Sequence, residues 1–198
     1  MKKLVVATKN KGKLKEIAEI MEGLPFEVIS MGEAGLDIDI EENGSTFEEN
    51  ALIKARAVAA ASGEAAMGDD SGLEVDYLDG APGIYSARFG GEGATDADKY
   101  LKLLGMLEKA PENKRSARFV CAAAVVFADG KEFVVRGTCE GVIGHEPIGS
   151  NGFGYDPVFY LPEFNRTFAQ LSSEEKNGIS HRGKALRLIF EELKKRQV

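Results

Sequence analysis

Two adjacent carboxylates, Asp69 and Asp70, stand between glycines in Gly68-Asp69-Asp70-Ser71-Gly72-Leu73. A short apolar run ending at Met67 precedes them and a strand-like run from Leu73 to Leu78 follows, so the pair is expected at a strand end. Like charges side by side repel, and each raises the pKa of the other. A divalent cation relieves that repulsion, and hard oxygen donors are what Mg²⁺ selects. One reading is a metal-holding acid/base site. The other is an acidic turn, because Asp, Ser and Gly all form turns.

Four further polar segments bear on the choice. Thr8-Lys9-Asn10-Lys11-Gly12-Lys13 follows an apolar run that reads as a buried strand. From Lys13 the spacing is helical, with Leu14, Ile17, Ala18 and Met21 on one face and a stop at Gly23-Leu24-Pro25. Backbone N–H groups at such a helix start suit a phosphate, and Lys9, Lys11 and Lys13 add positive charge. A solvated lysine face is the competing reading. Neither GxxxxGK[ST] nor GxGxxG occurs, so this is not a P-loop or a dinucleotide fingerprint. Next, an acidic loop with Asp37, Asp39, Glu41 and Glu42 leads into Ser45-Thr46-Phe47-Glu48-Glu49, two overlapping capping boxes. The helix they open runs to about Ser62, with Gly63 as its stop. Asn50 and Lys54 share a face of it. They could reach a metal-bound phosphate; their plainer reading is solvated surface.

The third segment, Gly149-Ser150-Asn151-Gly152-Phe153-Gly154-Tyr155-Asp156-Pro157, allows close backbone approach to a ligand. Phe153 and Tyr155 could stack on a flat ring or simply plug the core. In the fourth, Lys176, His181, Arg182 and Lys184 crowd around the start of the last helix. Positive charge there opposes the helix dipole, and an anionic partner would rationalise it.

The remaining chain supplies the frame. Phe26 to Ser30 reads as a strand, Asp79-Gly80 as a hairpin turn, and Thr95 or Asp96 as the cap of a helix carrying Tyr100, Leu104 and Leu107. Arg118 to Phe127, the longest apolar run, pairs through Asp129-Gly130 with Glu132 to Gly137. Strands and helices alternate early and strands cluster late, which predicts an α/β fold with a mixed sheet.

The 198 residues, 43% apolar and 29% charged, suit one soluble globular domain. A net charge of −7 argues against a nucleic-acid backbone binder but allows a local basic pocket. Cys121 and Cys139 lack metal or CxxC spacing and read as buried reduced thiols. No apolar run is long enough to span a bilayer, and no signal-like start appears, so no membrane partner and a cytoplasmic location are expected.

Six motifs in one order carry a resemblance: Thr8-Lys9-Asn10-Lys11-Gly12-Lys13, Thr46 to Ala51, Asp69 to Leu73, Gly80-Ala81-Pro82-Gly83-Ile84-Tyr85-Ser86-Ala87-Arg88, Phe153 to Pro157 and Ser180-His181-Arg182-Gly183. From Thr8 to about Leu186 the chain closely resembles the inosine triphosphate pyrophosphatase family, the XTP/dITP diphosphatases. The resemblance implies one two-lobed domain over residues 1–198, with an elongated mixed β-sheet flanked by helices and an active cleft between the lobes. It implies Mg²⁺-dependent hydrolysis of ITP, dITP and XTP to monophosphate and pyrophosphate, by a homodimer. Thr8 to Lys13 would hold the triphosphate, and Glu41 and Asp70 the Mg²⁺, with Asp70 as catalytic base. Ser71, Phe153, Gly154, Tyr155, Asp156, Lys176, His181 and Arg182 would bind the nucleotide. N–H donors, Arg182 among them, would pair with the 6-oxo group of hypoxanthine or xanthine, and adenine would leave them unmet. Two other classes use similar residues: a nucleotide sensor without catalysis, and a Maf-like pyrophosphatase with a different base pocket.

Overall fold

A strand, a helix and a second strand open the chain: β1 (Lys2–Val6), α1 (Lys11–Ile20) and β2 (Phe26–Ser30). A connection that short and helical brings its two strands side by side in parallel, and Leu4 of β1 stands opposite Val28 of β2. The computed structural model describes residues 2–23 and 26–196. Leu24 and Pro25 of the expected helix stop lie outside the described residues. Then come α2 (Phe47–Ser62), β3 (Ala65–Val75), α3 (Asp96–Met106), β4 (Ser116–Val126) and β5 (Glu132–Ile143). The chain continues through β6 (Phe159–Leu161), β7 (Arg166–Thr167), α4 (Ser173–Ile179) and α5 (His181–Lys195). The seven strands form one sheet in the order β2-β1-β3-β4-β5-β6-β7. β1 is parallel to β2 and β3, whereas β6 is antiparallel to β5 and β7. The sheet is therefore mixed and flanked by helices, as expected.

The chain forms two compact units. The first comprises the residues up to Asp70, Cys121–Gly137 and those from His181 on; the second is Ser71–Val120 with Thr138–Ser180. In the first unit, Leu4 and Val6 of β1, Ile17 of α1, Met67 of β3 and Leu186 and Ile189 of α5 share one apolar core. In the second, Phe119, Phe159 and Phe168 pack with ring centroids 4.6–5.6 Å apart, beside Leu73, Leu103 and Leu107. Arg115 is buried there and closes the end of α3, donating to the carbonyls of Leu107, Ile143 and Gly144 at 2.7–2.8 Å. Cys121 and Cys139 are both buried thiols, matching the sequence reading. No helix among the described residues is long and apolar enough to cross a membrane.

One expectation fails. β3 runs unbroken from Ala65 to Val75, so Asp69 and Asp70 sit inside a strand and not at a strand end. Gly68 is there for clearance: a Cβ on it would lie 2.3 Å from the Ala51 carbonyl of α2. Such a glycine marks close backbone approach within a strand. Asp79 and Gly80 do turn the chain with positive φ, but they lead only to an isolated Glu74–Pro82 bridge and short 3₁₀ turns.

Candidate active site

The pleat of β3 sends Asp69 and Asp70 to opposite faces, and each meets different partners in the first unit. Asp69, 1% exposed, lies 3.0 Å from Lys13 Nζ of α1 and 3.5 Å from Arg182 Nε of α5. The Arg182 guanidinium also pairs with Glu16, one turn along α1 from Lys13. Burial pushes the Asp69 carboxyl up, but Lys13, Arg182 and Lys54 together outweigh it and hold it well below the usual carboxylate range. Asp70 takes a hydrogen bond from Asn50 Nδ2 at 3.1 Å and has Lys54 Nζ at 3.8 Å, both from α2. Burial raises its pKa, with Glu42 adding to the rise, and Lys54, Lys13 and Asn50 offset this only in part. Mutual repulsion is thus not what tunes the pair. Two neighbours with diverging proton affinities are the arrangement that separates a fixed charge from a working base.

Local sequence explains how each side chain arrives. Asn10 caps α1, its Oδ1 accepting from the amides of Gly12 and Lys13 at 2.9 and 3.1 Å. Two of the amides expected to face a phosphate are therefore satisfied by the chain itself. Thr46 caps α2 by accepting from Glu49 N, while the Glu49 carboxylate bonds Ser45 and Glu48 turns to Arg136. Of the two overlapping boxes, only the Thr46 cap forms. The Gly44 amide donates to Asn50 Oδ1 at 2.8 Å, which orients the Asn50 amide so that its NH₂ faces Asp70. Gly68 lets α2 come close enough for Asn50 and Lys54 to reach. Gly137 of β5 does the same for α5, since a Cβ there would lie 2.3 Å from the His181 carbonyl.

A second polar cluster lies in the second unit. The Asp156 carboxylate accepts from Phe153 N at 2.9 Å and from Lys176 Nζ at 2.8 Å. Lys176 Nζ sits 4.8 Å from the centroid of the Phe153 ring, a cation–π distance. Tyr155 is buried in the core with its hydroxyl donating to the Ser86 carbonyl at 2.8 Å. Of the two aromatics expected to stack, Tyr155 is the core plug and Phe153 alone is half-exposed.

Sequence-predicted residues divide as follows. Lys13, Asp70 and Arg182 meet in the first unit's cluster, and Phe153, Gly154, Tyr155, Asp156 and Lys176 in the second unit. Thr8 shapes the turn before α1, accepting from Asn10 N at 3.2 Å; Lys9 is exposed, 3.6 Å from exposed Asp37, and Lys11 is exposed. Ser71 is half-buried on β3, and His181 is buried as the first residue of α5. Within the first unit Arg182 pairs with Asp69 and Glu16. Asn50 and Lys54, 1% and 8% exposed, are not solvated surface. Of the two readings their four-residue spacing allowed, the buried one holds; Glu16 left no signal in the sequence.

Among the described residues, no three His, Cys, Asp or Glu side chains gather as a metal cage. Mg²⁺ asks for less, since one or two carboxylates with waters and phosphate oxygens suffice. Asp70 and Glu42, which share the Lys54 ammonium at 3.8 and 2.8 Å, are hard oxygen donors that fit such an ion. Glu41, the expected ligand, is exposed; Glu42 is the acid beside Asp70.

Fold and site together define a mixed-sheet α/β protein whose first unit sets lysines around two unequal carboxylates. A model of the Ham1 family matches residues 4–192, and the chain belongs to that family. It is 52% identical over 189 residues to a dITP/XTP pyrophosphatase of Desulforamulus reducens, covering 96% of this chain and 94% of that one. A dITP/XTP pyrophosphatase of Bacillus cereus is 50% identical over 195 residues, with 98% and 95% covered. The structure of a HAM1 protein from Coxiella burnetii matches with a TM-score of 0.90 at 45% identity, covering 98% of this chain and all of that one.

Proposed function

We propose that this chain hydrolyses ITP, dITP and XTP to the nucleoside monophosphate and pyrophosphate, with Mg²⁺, as a cytoplasmic homodimer. The observation that carries the reading is the different setting of Asp69 and Asp70: Lys13 and Arg182 pair with the first at 3.0 and 3.5 Å, while Asn50 and Lys54 meet the second at 3.1 and 3.8 Å. A sensor that only binds a polyanion has no use for the second. The names of the relatives favour a hydrolase of dITP and XTP over a Maf-like substrate range.

Asp70 and Glu42 would hold the metal, with Glu41 beside them. When bound, Mg²⁺ would neutralise phosphate charge and lower the pKa of a water. Asp70 takes the proton of the water that attacks the α-phosphorus. Lys9, Lys11, Lys13 and Lys54 balance the charge that grows on the leaving pyrophosphate. Asn50 keeps the Asp70 carboxylate turned for proton transfer. Arg182 acts by holding Asp69 in place. Phe153 stacks on the base, and Ser71, Asp156, Lys176 and His181 bind the nucleotide around it. Backbone N–H groups meet the 6-oxo group, which adenine lacks.

Sedimentation as a monomer would refute the dimer. The activity is tested by a panel of ITP, dITP, XTP, GTP, ATP, dUTP and dTTP, with Mg²⁺ and then EDTA. ITP, dITP and XTP are expected to lead, and Asp70→Asn to lower kcat by at least ~10²-fold. Near-normal turnover by Asp70→Asn would sink the assignment.

A further inference from the structure

Phe153 is held by its own backbone from both sides. Its amide, in the peptide before it, donates to Asp156 Oδ2 at 2.9 Å. The next amide, Gly154 N, donates to Asp96 Oδ2 at 2.7 Å. Two carboxylates from different elements thus fix the two peptide planes that flank one residue. Those planes set φ and ψ of Phe153 and with them the direction of its Cα–Cβ bond. The glycines comply: Gly154 has φ +64°, and a Cβ on Gly152 would lie 2.0 Å from Asp156 Oδ2.

Asp96 is the less expected of the two. It is the first residue of α3, where its neighbours Thr95 and Asp98 already make the capping box. The helix start is therefore served without it. Its other oxygen, Oδ1, holds Lys99 Nζ at 3.0 Å, which keeps the side chain turned toward the loop. Hydrogen bonding from Gly154 and the nearby Lys99 hold its carboxyl below the usual range against the opposing pull of burial.

We infer that Asp96 is a positioning residue for substrate: by holding Gly154 N it aims the Phe153 ring at the purine base. This rests on the reading that Phe153 stacks on the base. A charge-assisted bond from a backbone amide is lost in Asp96→Ala, whereas Asp96→Asn keeps an acceptor for Gly154 N. The test compares KM and kcat for ITP in wild type, Asp96→Ala, Asp96→Asn and Phe153→Ala, with inhibition by inorganic tripolyphosphate measured in each. Asp96→Ala is expected to raise KM about tenfold, the scale of one such bond, with kcat and the tripolyphosphate Ki unchanged. Asp96→Asn should restore most of the loss. A general loss of structure would move the tripolyphosphate Ki as well, and that result would overturn the inference. So would an unchanged KM in Asp96→Ala alongside a raised KM in Phe153→Ala. An unchanged KM in Phe153→Ala would instead refute the stacking reading, and the role of Asp96 with it.

Discussion

Asp69 and Asp70 differ by one position and should respond to the same substitution in opposite ways. Asp69→Asn leaves the buried Arg182 and Lys13 without a charge they are packed against, and breaking a buried ion pair costs about 3–5 kcal/mol. Urea unfolding should therefore show a large loss of stability. Asp70 is less comfortable as an anion, so Asp70→Asn should leave the unfolding midpoint unchanged or raise it while activity collapses, the trade-off expected where function holds a strained charge. Equal losses for both variants would contradict the assigned difference. The residue types were legible in sequence, but their pairing was not. Adjacent acids suggest repulsion, and only the strand conformation shows that they face apart. Glu42 poses the same problem beside Glu41, because a loop has no fixed period from which to choose the inward acid. Glu42→Gln is expected to raise the Mg²⁺ concentration for half-maximal activity more than Glu41→Gln; the reverse order would restore Glu41 as the ligand.

At the scale of elements, capping and stop signals located the helices well: Thr46 and Gly63 bound α2, and Thr95 opens α3. β3 was misread because Gly68 and Gly72 flank polar residues, the composition of a turn. Gly68 instead serves packing, and this is why α2 can deliver Asn50 and Lys54 to Asp70. Long-range proximity of this kind leaves no local pattern in sequence, and an alanine-rich helix with scattered polar residues reads as surface. Gly68→Ala should push α2 away, costing about 1–3 kcal/mol as overpacking does and lowering kcat through Asn50 and Lys54. Thermal unfolding with steady-state kinetics checks this. A variant of wild-type stability and turnover would show that the close approach is not required.

For the whole molecule, the order of motifs was more informative than any one of them. Each is short enough to arise as a turn or a cap, and their common sequence along the chain is what identified the family. The mixed sheet followed from the early alternation and late clustering of strands. Two lobes were expected from the resemblance alone and not from that pattern, because β3, β4 and β5 each run from one unit into the other and leave no linker to read. The account turns on water attacking the α-phosphorus of a purine nucleoside triphosphate with Asp70 as base. Hydrolysis of ITP in ¹⁸O-labelled water tests this most directly. The label should appear in inosine monophosphate, with unlabelled pyrophosphate as the other product. Label in pyrophosphate, or release of orthophosphate as the first product, would contradict it.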